Sequence, residues 1–128
     1  MSDKQRPAQI AVIDDDDLGR GALGRVLQAG GFEAALFDSA ETFIASRQNR
    51  TWRCLVVDVN LTGMSGIDLQ RKLRAEGSKV PMIITTGDQT DTIRERAEQA
   101  GCVAFLWKPF SADAILALVG SIADPPHP

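Results

Sequence analysis

At 128 residues, with 44% hydrophobic and 24% charged side chains, the chain has the size and apolar content of one compact domain, which excludes a two-domain enzyme and intrinsic disorder. Fourteen Lys and Arg against seventeen Asp and Glu leave a net charge of −3, the wrong sign for direct binding to a nucleic-acid backbone. The longest apolar run, Ala114 to Gly120, is far shorter than the roughly 20 residues that cross a bilayer, and Met1 to Gln9 is polar, so neither a membrane segment nor a signal peptide is expected.

Residues 1–8 read as a tail, and Gln9–Ile13 as the first strand. A helix built on Leu18, Ala22, Val26 and Leu27 follows and stops at Gly30-Gly31. Gly19, Gly21 and Gly24 lie within it, each costing up to about 1 kcal/mol relative to Ala, and the sequence suggests no role for them. Glu33–Phe37 reads as the second strand, and Ser39 can cap a helix over Ala40–Ser46. The third strand is Cys54–Asp58, followed by a helix running from Ile67 through Leu69 and Leu73 to Gly77. Pro81–Thr86 is the fourth strand, with a helix using Ile93, Ala97 and Ala100 before Gly101. Val103–Trp107 is the fifth, and after Ser111 the spacing of Ile115, Leu116, Val119 and Ile122 predicts a last helix. The Pro-rich residues 124–128 cannot continue it and read as a terminus or the start of a linker.

Five strands alternating with five helices make a (βα)5 chain: an α/β domain over residues 9–123, doubly wound around a five-stranded parallel sheet. Ile10-Ala11-Val12-Ile13, Leu55-Val56-Val57 and Met82-Ile83-Ile84 are apolar throughout, as expected of central strands covered on both faces. Cys54 and Cys102 sit far apart among apolar neighbours, which predicts buried free thiols and a reducing, cytoplasmic setting.

Ligands of such a sheet bind outside the carboxyl ends of its strands. Here those ends carry Asp14-Asp15 in the run Asp14 to Asp17, Asp58, Thr85-Thr86 and Lys108-Pro109. Like charges about 4 Å apart repel by roughly 4 kcal/mol at an effective dielectric near 20, so gathering Asp14, Asp15 and Asp58 calls for a divalent cation. Oxygen ligands with no nearby His or Cys select a hard ion, and a small carboxylate set suits Mg2+. The sole histidine, His127, lies in the tail, which disfavours a Ser-His-Asp triad or a histidine-bound metal. An aspartate beside Mg2+ and a lysine can attack a phosphoryl group, and Asp58, alone at the end of a central strand, is the natural nucleophile. Taken singly, each residue has a plain alternative: a solvated turn for the aspartate run, a loop cap for Asp58, a surface cation for Lys108, a strand position for Thr86. Their joint placement on the strand ends favours a phosphorylation site.

Four segments in order, Val12-Ile13-Asp14-Asp15, Leu55-Val56-Val57-Asp58-Val59-Asn60 with Met64-Ser65-Gly66, Thr86-Gly87 and Lys108-Pro109-Phe110, resemble the receiver domains of bacterial two-component response regulators over Gln9 to Ile122. Phe37-Asp38-Ser39-Ala40-Glu41-Thr42-Phe43 and Thr86-Gly87-Asp88 look most like receivers of FixJ-type transcriptional regulators. The resemblance implies a CheY-like, flavodoxin-like sheet of order 2-1-3-4-5. It also implies that Asp58 accepts a phosphoryl group from a histidine kinase or phosphotransfer protein. Mg2+ would be held by Asp15, Asp58 and the main-chain carbonyl of Asn60, with Asp14 acting through water. Lys108 would pair with Asp58 and later with phosphate. Thr86 would move to the phosphate and let Phe105 take its space, switching the face of the fourth helix, fifth strand and fifth helix for a homodimer or effector contact, with Trp107 beside it; core or edge packing is the plain alternative for both rings. Gly87 would leave access to the phosphate, and Asn60 and Asp88 would tune hydrolysis. Pro usually stands where this chain has Thr62.

Such a domain phosphorylates and dephosphorylates itself without turning over an external substrate, so it is a signalling switch rather than an enzyme. The competing reading is a small Mg2+-dependent phosphohydrolase with an aspartyl-phosphate intermediate. Enzymes resembling the haloacid-dehalogenase group usually place a second acid two residues after the nucleophile, where this chain has Asn60. A flavodoxin-like cofactor carrier would need a phosphate-cradling loop after the first strand, where four aspartates stand instead.

Overall fold

The computed structural model describes residues 9–46, 51–87 and 90–123. In chain order the elements are β1 (Gln9–Ile13), α1 (Asp17–Ala29), β2 (Glu33–Phe37), α2 (Ala40–Ser46), β3 (Cys54–Asp58), α3 (Gly66–Ala75), β4 (Met82–Thr86), α4 (Asp91–Gln99), β5 (Ala104–Trp107) and α5 (Ala112–Ala123). The strands form one parallel sheet of order β2-β1-β3-β4-β5. The three strands expected at its centre are there, and every residue of β3 and β4 is buried.

Because side chains alternate across a strand, each central strand feeds two cores. Ala11, Ile13, Leu55, Val57, Met82 and Ile84 join Phe43, Ile67, Leu69, Leu73 and Ala97 from α2, α3 and α4. On the opposite face Ile10, Val12, Cys54, Val56 and Ile83 join Leu27 of α1 and Ile115 and Val119 of α5. Burying one such Ile or Leu is worth about 1.5–3 kcal/mol, so the two layers hold the strand ends in fixed register. Among the described residues no helix is long and apolar enough to cross a membrane.

Two strands begin one residue later than the sequence suggests. Pro81 lies outside β4, although its carbonyl accepts from the Leu55 N–H at 2.9 Å; having no N–H itself, it cannot pair on its other side. Val103 likewise precedes β5 and donates to the Met82 carbonyl at 2.9 Å. In the first helix, Gly24 is there for packing: a Cβ at that position would lie 3.0 Å from Leu36 Cδ2. Gly19 leaves room for the capping carboxylate of Asp16, whose Oδ2 would be 2.8 Å from a Cβ. Cys54 is fully buried and burial pushes its thiol up to about 12, as expected of an inert core cysteine; Cys102 is half-buried and also free.

Candidate functional site

Three strands deliver their charges to one point. β1 runs into Asp14, β3 ends on Asp58, and Lys108 follows β5. Each is tied by an extension of the ladders: Asp14 N–H donates to the Phe37 carbonyl (3.1 Å), Val59 N–H to Thr85 (2.9 Å) and Lys108 N–H to Thr86 (2.7 Å). Asp14 and Asp58 are buried, at 5% and 8% exposure, whereas Asp15 is exposed. A carboxylate oxygen from each of Asp14, Asp15 and Asp58 lies within 4.8 Å of the other two.

The Lys108 ammonium donates to both buried acids, to Asp58 Oδ2 at 2.8 Å and Asp14 Oδ2 at 2.9 Å. The remaining oxygens accept backbone N–H groups, Asp58 Oδ1 from Asn60 at 2.9 Å and Asp14 Oδ1 from Asp16 at 3.0 Å. The other two aspartates of the run do different work. Asp16 caps α1 by accepting from the Gly19 N–H at 2.9 Å. Asp17 pairs with Arg20, which also donates to the Asp14 carbonyl at 2.8 Å and so fixes the loop.

Burial pushes the Asp58 carboxyl above the usual carboxylate range. Hydrogen bonds from Lys108 and Asn60 and the Lys108 charge pull the other way, while the Asp14 charge adds to the rise. Burial alone would lower Lys108, but its hydrogen bonds and ion pairs with Asp58 and Asp14 outweigh it, so its pKa is raised. Three carboxylates against one ammonium leave a local excess of two negative charges on oxygen donors alone. That donor set fits one hard divalent cation.

Thr86 ends β4 fully buried, and the Asn60 amide points at its hydroxyl from 3.5 Å. Phe105 and Trp107 face the same side, as strand alternation requires, with ring centroids 5.2 Å apart in an edge-to-face arrangement. Phe105 packs against the α2–α4 core, and the Arg94 guanidinium of α4 stacks 5.8 Å from the Trp107 ring centroid. Among the described residues, chain neighbours aside, a Cβ on Gly87 would have nothing within 4 Å. Asp88, and the tail with His127, lie outside the described residues.

The resemblance marks Thr62, Met64 and Gly66 in the sequence, but not the contacts they make. Gly66 brings α3 against β3 so closely that a Cβ there would sit 2.6 Å from the Asp58 carbonyl oxygen. The Thr62 hydroxyl donates to Asp15 Oδ2 at 3.1 Å, and the Met64 N–H donates to Glu41 Oε2 at 3.0 Å. The only local signal among them is Ser65-Gly66-Ile67-Asp68, an N-cap pattern in which Ser65 Oγ accepts from the Asp68 N–H. Beside Asp14 and Lys108 opens a cavity of about 380 Å³ between α1 and α5, walled mainly by apolar groups that include Leu23, Val26, Phe110 and Ile115.

The sequence model of the response regulator receiver domain matches residues 10–120. The chain is 37% identical over 112 residues to the transcriptional regulatory protein FixJ of Bradyrhizobium diazoefficiens, covering 88% of this chain and 55% of that protein. It is 33% identical over 119 residues to the response regulator protein TodT of Pseudomonas putida, covering 93% of this chain and 52% of TodT. Crystallised full-length FixJ from B. japonicum superposes with a TM-score of 0.85 at 35% identity, over 94% of this chain and 61% of that one. The chain thus spans about half the length of the curated relatives it matches.

Proposed function

The chain belongs to the response regulator receiver domain family, the phosphoacceptor switches of two-component signalling, and from that premise we propose that Asp58 is the acceptor. One observation carries the assignment: a lysine shared by two buried aspartates at the strand ends, with a third carboxylate in reach. An Asp58 oxygen attacks phosphorus in line with the P–N bond of a phosphohistidine. The new O–P bond forms as the P–N bond breaks, leaving an acyl phosphate on Asp58 and returning the imidazole to the donor. Asp15, Asp58 and the Asn60 carbonyl, with Asp14 acting through water, would hold Mg2+, which would supply positive charge to neutralise the phosphoryl oxygens. Lys108 follows the transferred group, exchanging a carboxylate oxygen for a phosphoryl oxygen; a compact ammonium on a flexible stem suits that exchange. The Thr86 hydroxyl donates to another phosphoryl oxygen, and Phe105 responds through the α4–β5 face.

The donor is a histidine kinase or phosphotransfer protein. The apolar walls beside Lys108, together with Leu18 at 84% exposure, offer such a partner surface to bury next to the acceptor. The domain is residues 9–123. By likeness to the transcriptional regulatory protein FixJ the output is control of transcription through a partner domain, with a homodimer through Phe105 and Trp107 as one route. Phosphohydrolase chemistry is the weaker reading, because the position two residues after Asp58 is an amide, Asn60, and supplies no acid.

Treatment with a small acyl-phosphate donor and Mg2+ should add the mass of one phosphoryl group at Asp58, and none in Asp58→Asn. Light scattering of the labelled chain then reports whether it pairs. Labelling that survives Asp58→Asn, or steady turnover of phosphate esters by the purified chain, would overturn the assignment.

A further inference from the structure

The three clustered acids are not held alike. Asp14 and Asp58 each accept a backbone N–H and share Lys108, so each is held from two sides. Asp15 is exposed, and among the described residues the Thr62 hydroxyl is the one hydrogen-bond donor to its carboxylate. Thr62 reaches it from the loop that follows Asp58, 47 residues on in sequence.

That loop is itself anchored on both sides of Thr62. Leu61 is buried in the core at 8% exposure. Gly63 turns the chain at φ +82°, and the Met64 N–H is held by Glu41 at the start of α2. The Glu41 carboxylate lies so near that a Cβ on Gly63 would be 2.8 Å from its Oε2. Glu41, Gly63 and Leu61 therefore set where the Thr62 hydroxyl points, and that hydroxyl sets where Asp15 points. A proline at position 62 has no hydroxyl and could not do this.

We propose that Thr62 is a positioning residue for Asp15, turning its carboxylate toward Asp14 and Asp58, and that Glu41 acts through Thr62 by fixing the loop. In this chain the affinity for a divalent cation is thereby coupled to the loop after the acceptor and to α2. The inference rests on the proposal that the acidic cluster holds Mg2+. A free exposed carboxylate must give up rotamer freedom when it takes a cation, whereas one already hydrogen-bonded has given up much of it.

The test is the Mg2+ dissociation constant of the unphosphorylated chain, measured by titration calorimetry, with circular dichroism to establish that each variant folds. Thr62→Val should raise it about three- to ten-fold, below the ~10–100-fold typical of buried outer-shell partners because this contact is long and solvent-facing. Thr62→Ser, which keeps the hydroxyl, should stay within about two-fold of the parent. Glu41→Ala should weaken binding alone and add nothing on top of Thr62→Val, since it acts through the same hydroxyl. Parent-like affinity in Thr62→Val while Asp15→Asn loses the ion would overturn the positioning role and leave the receiver assignment standing. Equal losses in Thr62→Ser and Thr62→Val would also overturn it, because the hydroxyl would then be irrelevant. A parent chain that takes up no Mg2+ would remove both.

Discussion

Replacing Lys108 by Met keeps most of the side-chain bulk and deletes the charge that two buried carboxylates share. At 2.8 and 2.9 Å and an effective dielectric near 20, each contact carries roughly 6 kcal/mol of gross attraction. On the same scale the Asp14–Asp58 repulsion, with oxygens within 4.8 Å, is at least roughly 3.5 kcal/mol. Desolvation offsets most of the gross attraction, and the Lys108 side chain is 32% exposed, so water screens part of the rest. Removing one member of a buried pair typically costs about 3–5 kcal/mol, and the partial exposure brings the expected loss to about 2–3 kcal/mol at neutral pH. The sign of its pH dependence separates charge from packing. Without the ammonium, the Asp58 carboxyl pKa in the folded chain rises further above its unfolded value, so the folded state binds its proton more tightly and the penalty shrinks toward about pH 5. Mg2+ should likewise stabilise Lys108→Met more than the parent at neutral pH, since the variant site is more negative by one charge. Urea melts at the two pH values, with and without Mg2+, read all of this. A penalty that is unchanged or larger on acidification would refute the electrostatic account.

Three other outcomes follow from the site. In Gly66→Ala the new methyl meets the Asp58 carbonyl oxygen at 2.6 Å, Val57 Cγ1 at 3.0 Å and the Val59 Cα at 3.1 Å, and backbone in a buried strand cannot yield as a surface side chain would. After a small gain in helix propensity the net loss should be about 2 kcal/mol, or roughly 8 °C in thermal midpoint by circular dichroism, and a midpoint within about 2 °C of the parent would contradict it. In the metal-free protein Asp58 should titrate above the usual carboxylate range, because burial raises it, and a carboxyl NMR midpoint at or below that range would contradict the reasoning. Asp14→Asn should lower that midpoint, since it removes a repelling charge and leaves Lys108 wholly to Asp58; carboxyl NMR shifts in metal-free protein give the direction, and a rise would be inconsistent with the geometry.

The architecture was legible because a doubly covered strand must be apolar on both faces. Leu55-Val56-Val57 and Met82-Ile83-Ile84 have no other use, and the residue that breaks each run is then a residue at the carboxyl end of the sheet. Asp14, Asp58 and Lys108 fell out of the same logic, since they are where apolar runs stop, whereas Thr86 stands one residue past the end of its run at Thr85 and was marked by the resemblance. What the sequence hid were contacts whose partners lie far apart and whose residue types are ordinary at the surface. Thr62 with Asp15 and Met64 with Glu41 join segments 47 and 23 residues apart, and neither pair leaves a periodicity or a spacing to read. Within the Asp14–Asp17 run the sequence marks the first two acids for the site and suggests no role for the other two; the structure makes Asp16 a helix cap and Asp17 an arginine partner. That division depends on where α1 starts. With Asp16 at the N-cap, its carboxylate turns back to the Gly19 N–H and Asp17 is in the first turn facing Arg20, so only Asp14 and Asp15 remain on the strand side of the loop. At Gly19 a Cβ would lie 2.8 Å from the capping oxygen, so a side chain there would shift the Asp16 carboxylate from its present place. A glycine that weakens α1 locally thus leaves room for the turn that presents two acids, rather than four, to the site.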